Sequence, residues 1–257
     1  MADTTTPGAA ATTPVDSRWL ACRDAKPDAS ADLYCFAHAG GSAGEFVRWS
    51  DQLPGIRVRG VKLPGRAPRQ DEPPITRMTE LVRTLVAEIE FGPGRFAFFG
   101  HSLGGLVAHE VARTLRDTGR RMPEQIFVSS VQAPPVQVAR PVHGLPPGEL
   151  LVEIERRWGA LPPLVHEDED LRDLVLGYFR ADMEIAETYD FAPGPPLDLP
   201  LTVFVGEEEA GDLQGWAVHT SGSFHHHTVP GGHFHFRVPG PRQELLRIVH
   251  RAMTTAR

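Results

Sequence analysis

Within the 257-residue chain, the pentapeptide GHSLG at Gly100–Gly104 sets one serine between two glycines, each two residues away. This is the G-x-S-x-G pattern of a serine on a sharp strand-to-helix turn, its hydroxyl lifted out of a sheet. Such a hydroxyl can attack a carbonyl carbon if a base takes its proton and amide donors receive the oxyanion. The chemistry suggested is acyl transfer through Ser102. Its base, its carboxylate and its donors must come from elsewhere in the chain.

Among twelve histidines, His233 in VPGGHFHF has the position a base needs. It follows a strand by a glycine turn and precedes the last helix, in the chain order serine, acid, histidine. His235 is read as a packing or solvating residue. His101, beside Ser102 on a sharp turn, points away and is read as packing. His225, His226 and His227 lie on a strand with no carboxylate or further histidine at ligand spacing, so no metal site is expected.

The carboxylate that orients the imidazole is expected at the end of the strand LTVFV, where GEEEAGDLQGW offers several. Glu209, three residues past Gly206, is the first choice, with Asp212 and Glu208 as alternatives. One oxyanion donor is the amide of Leu103, the residue after the serine. The other belongs to the loop after the strand in LYCFAHAGGSAG, where Ala39 or Gly40 can present an N–H. That loop lacks the Lys-Ser/Thr ending of a phosphate cradle.

Elements must hold these groups together, and the apolar pattern supplies them. Strands are expected at Leu33–Ala37, Ile56–Lys62, Phe96–Phe99, Ile126–Ser130, Leu201–Val205 and Phe224–Val229. Helical spacing marks Met78–Glu90, Leu103–Arg116 and Leu245–Met253. Alternating strands and helices predict an α/β fold with a mostly parallel sheet flanked by helices. The stretch from Leu145 to Tyr189 interrupts that alternation with two helix-like segments in a row, and reads as an inserted helical cap over about residues 145–190.

Residues 1–16, rich in Thr, Ala and Pro, read as a disordered leader, so that 17–257 forms the single domain carrying the cap. A net charge of −7 argues against nucleic acid as partner. The run Arg57–Arg69 gathers Arg57, Arg59, Lys62, Arg66 and Arg69, but alternating strand residues face opposite ways, which disfavours one docking patch. Only two cysteines occur, Cys22 and Cys35, the latter in an apolar strand, so no disulfide framework is expected. No window approaches the ~18 apolar residues of a membrane span, and the N-terminus lacks a signal-peptide pattern, so a cytoplasmic protein is expected.

Four stretches in order, FAHAGGSAGEFVRW, VKLPGRAPRQDEPP, FFGHSLGGLVAHEVA and VPGGHFHF, resemble the type II thioesterases of polyketide and nonribosomal peptide synthesis, over about Leu33 to His250. The resemblance implies an α/β-hydrolase fold with a mobile helical lid. It implies action on acyl groups held as thioesters on the phosphopantetheine arm of an acyl carrier protein; the leading reading is an editing thioesterase that removes unwanted short acyl groups, a monomer with no cofactor of its own. It carries the nucleophile onto Ser102, the base onto His233 and an oxyanion donor onto Ala39. The family usually has Asp where this chain has Glu209. Two other readings are a small-ester hydrolase or lipase with the same site, and a catalytically weak module that binds carrier proteins.

Overall fold

The computed structural model describes residues 17–23, 25–136, 140–159, 161–209 and 214–255; the expected leader at 1–16 and Asp212 lie outside the described residues. Runs of residues that are apolar on both faces of a strand must be covered on both sides, and they form one seven-stranded sheet here. Its strands are β1 (Leu20–Ala21), β2 (Ala31–Phe36), β3 (Ile56–Val61), β4 (Arg95–His101), β5 (Ile126–Ser129), β6 (Leu201–Gly206) and β7 (Phe224–Val229). In space the order is β1-β3-β2-β4-β5-β6-β7. Only β1 runs antiparallel to its neighbour; the other pairings are parallel.

Side chains alternate between two cores. Tyr34, Phe36, Phe96 and Phe98 face α2 (Met78–Glu88) and α3 (Leu103–Asp117), packing with Leu81, Leu85, Leu106 and Val111. Leu33, Cys35, Ala97 and Phe99 face the other way, toward α1 (Ala43–Val47) and the C-terminal helix, with Phe46, Leu245 and Val249. Burial pushes the Cys35 thiol pKa well up, as for a thiol that only packs.

Between β5 and β6 the described residues form three helices, α4 (Pro147–Trp158), α5 (Pro163–Glu167) and α6 (Glu169–Glu187). Asp168 caps α6 by accepting from the Leu171 amide at 3.0 Å. Val142, Leu150, Ile154, Leu176, Phe179 and Met183 form a third cluster between α4 and α6. The sequence pattern showed two helical segments there; α5, at five residues, is too short to display a period.

The last helix, α7 (Pro239–Thr254), begins six residues before the expected Leu245, because its first turn is Pro-Gly-Pro and carries no apolar stripe. Proline suits that turn, whose N–H groups have no partner within the helix. Strand β1 escaped notice, since two residues cannot display alternation. The run Arg57–Arg69 does not form one outward patch: Arg59, Arg66 and Arg69 are buried, and Arg57 pairs with Asp32 at 2.6 Å. Among the described residues, no helix is long and apolar enough to cross a membrane.

The chain reverses its direction of winding between β2 and β4. Ligand crevices form at such points, outside the carboxyl ends of the strands. Register sets Phe36 beside Gly100, so the loop after β2 and the turn after β4 open into the same crevice.

Candidate active site

Ser102 is the single residue between β4 and α3, with φ 52° and ψ −124°. A positive φ is strained for any residue with a side chain and persists only where the surroundings impose it. They do so here: the Ser102 amide donates to the Ser129 carbonyl at 2.7 Å, and its carbonyl accepts from Gly105 at 2.8 Å. The helix can start this close to the sheet because Gly104 has no side chain. A Cβ there would lie 2.1 Å from the Phe36 carbonyl oxygen. The free amides and positive end of α3, beginning at Leu103, therefore face the space beside Ser102.

The second amide loop follows β2. Ala39 lines the same cavity as Ser102 and Leu103. The peptide after it is held at both ends: His38 Nδ1 donates to the Ala39 carbonyl at 2.8 Å, and the Gly40 amide donates to Asp182 Oδ2 at 2.8 Å. Of the two amides weighed from sequence, that of Gly40 is thus committed to a carboxylate.

The loops after β6 and β7 are clipped together by backbone bonds from Glu207 to Val229, 2.9 Å, and from Glu208 to Gly231, 3.1 Å. Glu209 Oε1 consequently meets His233 Nδ1 at 2.8 Å. Its second oxygen accepts from Ser130 Oγ at 2.5 Å and from the Gly206 amide at 2.8 Å. Burial pushes the Glu209 carboxyl up, but hydrogen bonds from His233, Ser130 and Gly206 outweigh it and hold the group below its ordinary pKa. Glu208 is exposed. Asp212 lies outside the described residues.

His101 and His235 sit behind this arrangement. Ser129 Oγ links them, 2.9 Å from His101 Nδ1 and 3.1 Å from His235 Nε2. Burial lowers both imidazole pKa values, that of His235 to about 4, so both rings are neutral at pH 7. Neither lines the cavity, whereas His233 does.

That cavity measures about 640 Å³ and is roofed by the helices between β5 and β6. Ile154 and Trp158 of α4, Val165 of α5, and Val175, Phe179 and Met183 of α6 face Leu103, Leu106 and Val131 across it. The lining is mostly apolar; Ser102 and His233 are among its polar groups, with Arg157, Tyr178 and Glu187 on the helices above. An imidazole oriented through Nδ1 by an ionised carboxylate presents Nε2 as a base, so this arrangement can carry acyl transfer from a substrate with an apolar acyl chain. Among the described residues, no cluster of three or more His, Cys, Asp or Glu side chains could hold a metal ion.

Two contributors escaped the sequence reading. Ser130 stands at φ 54° after β5, aimed at Glu209; the hydroxyl pair ending the apolar run IFVSS was its only signal. Asp182, 1% exposed, occupies an inward position of α6 three residues after Phe179, where an apolar side chain is expected. A charge on an apolar stripe was the signal there.

A family model described as the thioesterase domain matches residues 31–253. The thioesterase PikA5 of Streptomyces venezuelae is 38% identical over 224 residues, covering 84% of this chain and 79% of that protein. Among solved structures, the RedJ thioesterase from the prodiginine pathway of Streptomyces coelicolor superposes with a TM-score of 0.78 at 34% identity, covering 86% of this chain and 90% of that one. The type II thioesterase BorB from the borrelidin biosynthetic cluster gives 0.79 at 29%, covering 94% and 98%.

Proposed function

The chain belongs to the thioesterase domain family, with the α/β-hydrolase fold and a close likeness to type II thioesterases of polyketide and nonribosomal peptide pathways, and on that premise we propose that it hydrolyses acyl groups from the phosphopantetheine arms of acyl carrier domains. In this reading Ser102 Oγ attacks the thioester carbonyl while His233 Nε2 takes its proton. The carbonyl oxygen becomes an oxyanion received by the amides of Ala39 and Leu103. Collapse of the intermediate breaks the C–S bond, and His233 returns the proton to the departing thiolate. Water then repeats the sequence on the acyl-serine, with His233 again as base, and releases the acid. Glu209 stays ionised throughout, fixing the tautomer and stabilising the imidazolium.

The observation that carries the proposal is the single cavity shared by Ser102, at its strained turn, and His233, whose Nδ1 is held by Glu209. The apolar lining supports an acyl chain as the group bound there, with room for chains longer than acetyl or propionyl. The contact of Glu209 with His233 supports catalysis over the reading as a catalytically weak carrier-binding module.

The test is to load a carrier domain with acetyl, propionyl and longer acyl groups and follow their release by intact-protein mass. Release by the wild type and its loss in Ser102→Ala are expected. Equal, slow release by both would overturn the proposal. A marked preference for the matched free oxygen ester would favour a small-ester hydrolase instead.

A further inference from the structure

Two buried charges remain without a role in this chemistry, Arg66 and Asp182. Arg66 is 6% exposed and Asp182 1%, and they pair through both ends, Nη1 to Oδ2 at 2.7 Å and Nη2 to Oδ1 at 2.6 Å. The pair does more than neutralise itself. Asp182 Oδ2 also receives the Gly40 amide at 2.8 Å, and Arg66 Nη1 donates to the Gly41 carbonyl at 3.0 Å.

These contacts join three parts of the molecule: the loop after β2, the segment after β3 that carries Arg66, and helix α6 over the cavity. A further contact locks the same place. Gly40 has φ +74°, and a Cβ on it would lie 2.7 Å from Phe179 Cδ2, so the Phe179 ring of α6 rests on the loop backbone. Only glycine combines that backbone angle with that approach.

We propose that Asp182, held by Arg66, is a positioning residue for the oxyanion amide of Ala39. This deepens the function proposed above and rests on it. The Ala39–Gly40 peptide has its carbonyl fixed by His38 Nδ1 and its N–H fixed by Asp182. Adjacent peptide planes are linked only through the two dihedrals of Ala39. Fixing one plane therefore restricts where the preceding N–H, that of Ala39, can point.

The consequence reaches the substrate. Phe179 and Met183, flanking Asp182 on α6, line the acyl cavity. The helix that meets the acyl chain thus also holds the loop that receives the oxyanion. Turnover requires α6 seated, and an α6 displaced from the sheet takes the Gly40 anchor with it. Charge, not size alone, is needed at 182, because one carboxylate must accept from Arg66 and Gly40 together.

The experiment compares wild type with Asp182→Asn, and with Arg66→Met/Asp182→Leu, which removes both charges so that neither is left buried alone. Each folded variant is assayed on an acyl-carrier thioester and titrated with an acyl trifluoromethyl ketone, which takes the serine oxygen and places an oxyanion in the hole. The matched unreactive thioether is the control. We expect kcat to fall at least about tenfold with KM changed less than about threefold, since losing an oxyanion donor costs about 10²–10³ and displacing it costs part of that. Affinity for the ketone should fall in parallel while that for the thioether stays.

Wild-type kcat and ketone affinity in a folded double variant would overturn the proposal, as would equal losses for ketone and thioether. Ser102→Ala separates this from the underlying reading. If that variant loses turnover while the Asp182 variants keep it, the function stands and the positioning role falls.

Discussion

Glu209 reaches His233 with one carboxylate oxygen, 2.8 Å from Nδ1, where the resemblance implied the shorter aspartate. The extra methylene is accommodated because the second oxygen is pinned by Ser130 and the Gly206 amide. The longer arm is thus held at three points, by His233, Ser130 and the Gly206 amide.

Glu209→Gln should therefore lower kcat on an acyl-carrier thioester by about a hundred- to ten-thousand-fold with little change in KM, because the amide favours the wrong imidazole tautomer. Glu209→Asp should lose less, about tenfold, by retracting the carboxylate from Nδ1. Steady-state kinetics on both variants checks this. A rate untouched by Glu209→Gln would remove the residue from the mechanism.

Ser130→Ala should destabilise the protein at pH 7 by about 2 kcal/mol, the scale of a hydrogen bond to a charged group. The sign with pH follows from the lowered Glu209 pKa. Ionised Glu209 contributes stability above its ordinary value of 4.5, and that contribution is lost as pH falls through the lower folded value. Urea unfolding of wild type and variant should show the gap narrowing as pH falls below 4.5.

His235 is buried with its pKa lowered to about 4 from an ordinary 6.5. Between those values the unfolded chain binds a proton that the native protein excludes, so stability falls as pH drops through that window. Its share is about 3 kcal/mol at most, and buried His101 acts in the same direction. His235→Gln should flatten the dependence of unfolding free energy on pH between 6.5 and 4, measured by urea titration at several pH values.

Gly104→Ala should fail to fold stably, losing more than about 3 kcal/mol, since the added carbon meets the backbone carbonyl oxygens of Phe36 at 2.1 Å and Ala37 at 2.7 Å. Thermal unfolding and soluble yield report it. A variant with wild-type melting would show that α3 can shift off the sheet.

Val175→Trp narrows the acyl cavity from α6. Turnover of long acyl-carrier thioesters should fall at least about tenfold while that of the acetyl thioester is kept, since a pocket discriminates by the groups it excludes. A series of chain lengths assayed on wild type and variant checks it.

Much of this was legible in the residues. The strand-to-helix turn around Ser102 is written locally: RFAFF cannot be exposed, the small residues on either side of the serine allow a tight bend, and LVAHEVARTL has one apolar stripe. The glycine turn before His233 and the carboxylates after LTVFV are likewise local signals. Their order along the chain pointed to acyl-transfer chemistry, and in the structure they follow β4, β6 and β7, parallel strands of one sheet. Period and turn chemistry act over a few residues, so a sequence reveals them directly.

What the sequence left open were choices between near neighbours and contacts between distant segments. Glu208 and Glu209 differ by one position, and the backbone clip between the loops after β6 and β7 turned the second one toward His233. The number of helices over the cavity, the Ser130 bond and the burial of Arg66 against Asp182 depend on segments up to 116 residues apart. No local pattern encodes such a meeting. It is decided when the sheet closes, since only then does burial force each polar group to find a partner.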